Sequence, residues 1–205
     1  MLKKLLKEYI VQNRKIVLVL FLCLAVGILS GIIIYNFSSK EVKSILTSQM
    51  TEAIKLSDNG EFIKTDVIYN GVRNNVAYIF LMFVFSIMLY GTVFIYLLYI
   101  IKGLSIGIYI GTLFGIFGFW WGMLVFLLMV ILINMVYLPA LSFIGITLIS
   151  YNLDIMEYRR ETKNITTFSK VVVKVLFGLM IIFSSIIIEQ LMSNVIIKIN
   201  NCVQK

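Results

Sequence analysis

From Asn74 to Leu153 the chain runs for eighty residues with a single charged side chain, Lys102. A water-soluble core cannot use that much continuous apolar chain, because each of its elements needs a solvated face. A bilayer can, since roughly 20 apolar residues cross its ~30 Å hydrocarbon core. The single proline and the long Ile, Leu, Phe and Val runs predict helices. A membrane barrel would instead show short alternating strands separated by turns. The expected fold is therefore all-α, a polytopic membrane helix bundle of about five transmembrane helices in one domain over 1–205.

The expected spans are about 16–35, 76–101, 104–117, 123–150 and 171–191. The first, Ile16 to Tyr35, follows Lys3, Lys4, Lys7, Arg14 and Lys15. That resembles the basic leader of a signal peptide, but the run is of spanning length and lacks a small-x-small cleavage pattern, so it reads as an uncleaved helix. Lys102 punctuates the chain between spans two and three. The 51 uncharged residues from Gly103 to Leu153 hold two crossings, with a turn at Gly118-Phe119-Trp120-Trp121-Gly122. Glycines and an interfacial aromatic pair both suit such a turn. Span three is then short, and a half-inserted hairpin is an alternative to a full crossing.

The net charge of +8 comes from basic residues flanking the apolar spans. Membrane topology and anionic headgroups explain that pattern without nucleic acid. With the N-terminus inside, eleven Lys and Arg fall on the cytoplasmic side, including Lys102 and the 151–170 loop, against seven outside. The excess predicts N-terminus inside and C-terminus outside in a bacterial cell membrane.

The extracytoplasmic loop 36–73 balances five bases with five acids. Ser38 and Glu41 have capping-box spacing. Val42, Ile45, Leu46, Met50, Ala53 and Ile54 then recur at helical intervals until Asp58-Asn59-Gly60. Three surfaces can receive this stripe: the lipid interface, a partner protein, or the chain's own bundle.

Gly103, Gly107, Gly111 and Gly115 form a four-residue glycine ladder, which lets a second backbone approach closely, within the monomer or in a neighbouring subunit. If the ladder is a contact, leucine at Gly107 and Gly111 should abolish assembly while alanine should not. Lys102 reads either as a charge snorkelling to headgroups or as a partner contact. Pro139 should kink span four by leaving the Met135 carbonyl without its usual donor, and Asn134 should find a hydrogen-bonding mate nearby. Glu189 is the only carboxylate within an apolar span, placed either at the interface or against an ion or partner.

Catalytic chemistry finds no footing. The chain has no histidine, no zinc-protease motif and no phosphate-cradling Gly-rich loop, and Cys23 and Cys202 lack metal-ligand spacing. The chain reads as non-enzymatic, with no cofactor or metal.

Lys102-Gly103, the glycines at 107, 111, 118 and 122, Asn134, and Pro139-Ala140 resemble the membrane family typified by stage II sporulation protein M. Gly27-Ile28-Leu29-Ser30-Gly31, Ser184, Ser185 and Glu189 are compatible with it. Where the engulfment member has a Pro-Gln-Asn triplet, this chain has Leu132-Ile133-Asn134. The resemblance implies a scaffold that holds peptidoglycan-degrading partners, stage II sporulation proteins D and P, at the engulfing membrane. Relatives beside circular-bacteriocin genes imply a second class, a subunit for peptide maturation, export or immunity working with an ABC-type ATPase. A third and weaker class is a small-ion carrier using Glu189, Asn134 and the bend at Pro139.

Overall fold

The computed structural model describes residues 13–58, 64–127, 132–158 and 168–203. Among them are six helices and no strand: α1 Arg14–Phe37, α2 Lys40–Asp58, α3 Lys64–Ile87, α4 Gly91–Val125, α5 Leu132–Tyr158 and α6 Phe168–Val203. Four stretches are long and apolar enough to cross a membrane: Arg14–Phe37, Gly91–Val125, Met135–Glu157 and Phe168–Ile186. A shorter apolar stretch, Val72–Ile87, forms the second half of α3. The architecture is a helical membrane bundle.

Side-chain pairings set the directions. Gly27 lies against Gly103 and Gly31 against Gly107, so α1 and α4 run parallel. Phe85 stacks on Phe94 with ring centroids 5.0 Å apart, and the Lys102 ammonium sits over Tyr78, so α3 runs against α4. Thr92 bonds to Asn152 and Tyr99 to Leu141, which makes α5 antiparallel to α4. Phe143 meets Phe177 and Tyr151 meets Phe168, so α6 turns back along α5. The five long helices thus alternate between an end marked by Asn13 and an end marked by Tyr35. The start of α1 and the far part of α6 lie at opposite ends.

Helix α5 occupies the centre. Every residue from Ile144 to Ile149 is buried, which explains why its apolar residues show no single stripe. Leu20, Met82, Ile95, Tyr99 and Ile182 close around it to form one core with its own Leu141. Helix α1 is peripheral, and Leu18, Phe21, Leu22, Leu29 and Ile33 point outward, as lipid-facing residues do.

The second and third helices differ from the expected spans. A span over 76–101 punctuated at Lys102 does not form: α3 stops at Ile87, the chain turns through Met88, Leu89 and Tyr90, and α4 passes through Lys102 without interruption. Tyr90 adopts the left-handed conformation (φ 61°), and a Cβ on the next residue, Gly91, would collide with the Phe85 carbonyl oxygen. The residues of this turn are apolar, so composition does not mark it. The first arm of α4, 27 residues from Gly91 to Phe117, spans about 40 Å. It is long enough for a full crossing.

The turn expected near Gly118 is present. Gly118 has φ 69° and ψ −177°, a region open almost only to glycine. Beyond it the chain folds back, and a Cβ built on Gly122 would lie 3.3 Å from the Phe114 Cα. In an unbroken helix those two residues would be about 12 Å apart. Phe119, Trp120 and Trp121 are exposed on this tip. Both tryptophans of the chain are here, so intrinsic fluorescence reports on the tip alone. In reconstituted vesicles, lipids brominated near the headgroup are expected to quench this emission more than lipids brominated near the chain terminus, as for an interfacial aromatic pair. Stronger quenching from the deep label would contradict that placement.

Helix α2 lies across the Tyr35 end, packed on α4 and α6. Its capping residue is Ser39: the Val42 amide donates to Ser39 Oγ at 3.4 Å, whereas the Ser38 hydroxyl donates to the Ile34 carbonyl and closes α1. Lys43 reaches back to donate to the Asn36 carbonyl at 2.8 Å and sits over the Tyr35 ring. Leu46, Thr47 and Met50 are half-buried toward the bundle, while Val42 and Ile45 are exposed. Among the described side chains the apolar stripe is therefore divided between the chain's own bundle and an open face, while those of Ala53 and Ile54 lie outside the described residues.

Candidate functional site

The glycine ladder is a seam within the chain. A Cβ on Gly103 would lie 3.0 Å from the Gly27 Cα and nearer still to the Leu24 carbonyl oxygen. One on Gly107 would lie 2.9 Å from the Gly31 Cα and nearer the Ile28 carbonyl oxygen. The upper two glycines accommodate Tyr35, with ring atoms 2.6 Å from a Cβ built on Gly111 and the hydroxyl against Gly115. The Gly27-to-Gly31 pair of α1 and the 103-to-107 pair of α4 thus meet backbone to backbone. At Gly107 the expectation that alanine is harmless does not survive, since a single methyl group already meets main-chain atoms; at Gly111 it would meet the Tyr35 ring.

Lys102 is not at a helix junction. It lies eleven residues past the start of α4 and fifteen before Phe117, near the middle of the crossing arm. Its ammonium sits 4.9 Å from the ring centre of Tyr137 on α5 and 5.6 Å from that of Tyr78 on α3. The electron-rich ring faces attract the cation, and more strongly away from water. Around it the polar groups interlock. The Tyr137 hydroxyl donates to Asn75 Oδ1 at 2.9 Å, and one turn before Lys102 the Tyr99 hydroxyl donates to the Leu141 carbonyl at 2.6 Å. Gly145 makes room for that hydroxyl, because a Cβ there would collide with it. The Tyr78 hydroxyl is buried without a hydrogen-bond partner. The half-buried lysine thus sits between the tyrosines of α3 and α5 in the middle of an arm, and not at a helix junction.

Helix α5 continues through Pro139, which is exposed, as is Met135, whose carbonyl the proline leaves without its usual donor. Ser185 is buried and Ser184 exposed on α6. The side chains of Asn134 and Glu189 lie outside the described residues, as does Cys202; Cys23 is a half-buried free thiol on α1.

One residue escaped the sequence reading. Asn152, fully buried near the end of α5, uses both ends of its amide on the 88–90 turn. Its Nδ2 donates to the Ser86 and Met88 carbonyls at 2.8 Å each. Its Oδ1 accepts from the Thr92 amide at 3.1 Å and the Thr92 hydroxyl at 2.8 Å. The last carbonyls of α3 and the first amides of α4, which each helix leaves unpaired, are satisfied together by this side chain. An asparagine in a long uncharged run was the available signal, but its target lies sixty residues away.

The match that decides the family is to the model of stage II sporulation protein M, over residues 18–194. The chain belongs to the stage II sporulation protein M family. The matched region takes in the glycine seam, Lys102 with its tyrosines, and the Asn152 clamp. Neither the curated proteins nor the solved structures yield a significant match. The glycines and the Lys102-Gly103 pair that carried the resemblance to the stage II sporulation protein M family are thus packing residues of its helical bundle.

Proposed function

We propose that this member of the stage II sporulation protein M family is a non-enzymatic scaffold of the bacterial cell membrane. It crosses the membrane five times, with the Asn13 end cytoplasmic and the Tyr35 end outside, and anchors peptidoglycan-degrading partners during engulfment. The observation that carries the reading is helix α2. It is fastened to the Tyr35 end by Lys43 and by the packing of Leu46 and Thr47, yet presents Val42 and Ile45 outward among Lys40, Glu41, Ser48 and Gln49. A mixed apolar and charged face on a rigidly held helix suits protein docking. The charges favour the orientation: Arg14, Lys15, Lys170 and Lys174 mark the Asn13 end, against Lys40 and Lys43 on α2 and Arg73 on α3.

The alternative, an export or immunity subunit with an ABC-type ATPase, places the partner at the Asn13 end. Lys102, half-buried eleven residues along α4 from that end, is remote from such a partner, but the exposed turn Met88-Leu89-Tyr90 is not. Affinity purification in mild detergent from the native host separates the two. Cell-wall hydrolases are expected with the wild-type chain and are expected to be lost with Val42→Asp plus Ile45→Asp. Recovery of a cytoplasmic ATPase without wall enzymes, unaffected by the α2 substitutions, would replace the scaffold with the export reading.

A further inference from the structure

We propose that the outward flank of α3 binds an anionic phospholipid of the leaflet at the Tyr35 end, with its phosphate on Arg73 and Asn74 and its acyl chains along Ala77, Phe80 and Val84. The apolar surface of the bundle is stepped at that end. Phe85 stacks on Phe94 and Tyr78 meets Lys102, so Ile87 is level with the start of α4 and Val72 with Gly107. Gly107 in turn lies against Gly31 of α1. The apolar half of α3, Val72–Ile87, is therefore level with the apolar run of α1 at the Asn13 end but stops level with Gly31. Beyond Gly31, α1 still exposes Ile33, Ile34 and Phe37, about 9 Å of further apolar surface that α3 does not match. A bilayer accommodates a short apolar flank by thinning, which draws its polar boundary inward there.

Arg73 and Asn74 form the floor of the step. Both are exposed, and neither side chain has a hydrogen bond or ion pair among the described residues. Their neighbours are engaged within the bundle: Asn75 accepts from the Tyr137 hydroxyl, and Lys102 lies over the Tyr78 and Tyr137 rings. From Arg73 toward the Asn13 end, one open stripe continues at helical spacing through Ala77, Phe80 and Val84, with Leu81 beside it. Arg73 to Val84 is about 16 Å, close to half of the ~30 Å hydrocarbon core. A cation above one leaflet's depth of apolar surface has the vertical order of an anionic phospholipid, headgroup first and chains toward the bilayer centre. The planar guanidinium fork pairs with two phosphate oxygens, and the Asn74 amide adds a donor beside it. The charge is thus compensated at a depth where an unpaired cation is costly.

Thermal melting of the full chain in mild detergent tests this, with dioleoyl phosphatidylglycerol, dioleoyl phosphatidylcholine or inorganic phosphate titrated in. Phosphatidylglycerol is expected to raise the melt at a half-maximal concentration about fivefold below that of phosphatidylcholine, the effect of one basic residue at an anionic surface. Inorganic phosphate is expected to do nothing over the same range. Arg73→Gln should bring the two lipids together, and Arg73→Lys should keep part of the preference. Lys40→Gln, an equal loss of charge on the exposed face of α2, should keep all of it. A wild-type chain without preference, or an equal fall in Arg73→Gln and Lys40→Gln, would overturn the site. Protection by inorganic phosphate would replace the lipid with a free anion. Photo-crosslinking in native membranes from Phe80→benzoylphenylalanine is expected to yield phospholipid adducts, and a protein adduct in their place would assign the flank to a partner helix instead.

Discussion

Asn152→Leu is expected to destabilise the bundle by about 3 kcal/mol or more, since several hydrogen-bonding groups lose a partner at once. The Ser86 carbonyl, on a residue with no exposed surface, the Met88 carbonyl and the Thr92 amide and hydroxyl all engage the one amide. Leucine preserves approximate volume, so the loss measures hydrogen bonding more than packing. Asn152→Asp retains the acceptor for Thr92 but sets a carboxylate oxygen against two carbonyls, and should also destabilise. Ser150→Ala, which removes only a 3.3 Å bond to Asn13, should shift the melt far less. Thermal melting in detergent checks the series. An Asn152→Leu melt equal to that of Ser150→Ala would mean that the 88–90 turn does not depend on its clamp.

The second large effect is expected at the glycine seam. Gly107→Ala should cost about 3 kcal/mol, at the upper end of overpacking, because its methyl group meets backbone that cannot swing aside as a side chain can. Gly31→Ala across the seam should behave alike, and the two together should lose less than the sum, since the first already separates the helices. Ser105→Ala, on the exposed face of the same helix, should be close to neutral. Limited proteolysis should show α1 becoming accessible in the glycine variants before the rest of the bundle melts. Wild-type melting of Gly107→Ala would show that the seam can open without cost.

These two sites differ in how legible they were. The glycine ladder could be read because its period is the helix's own: residues four apart lie on one face whatever surrounds them. Its counterpart, Gly27 and Gly31, was visible as a motif, but only the packing shows that the two motifs face each other inside one chain. Gly118 could be read because a glycine beside two tryptophans is both a backbone and an interfacial signal. The 88–90 turn could not. Its residues are Met, Leu and Tyr, and the side chain that stabilises it comes from Asn152 in another helix. With no local signal there, the one charge nearby reads as the boundary, which places Lys102 at the end of a helix when it lies in the middle of one.

The sequence by itself determined that this is a helical membrane protein of the stage II sporulation protein M family, because hydrophobic length and glycine spacing are properties of single segments. Tertiary structure decided where α3 ends and α4 begins, that the glycine ladder is occupied by α1, and that Lys102 lies among tyrosines. Each of those depends on which helices become neighbours. In a chain whose spans are almost uniformly apolar, hydropathy sets how long a helix is but says little about which face meets which. Backbone clearance at glycines and the need to satisfy buried polar groups select the neighbours instead.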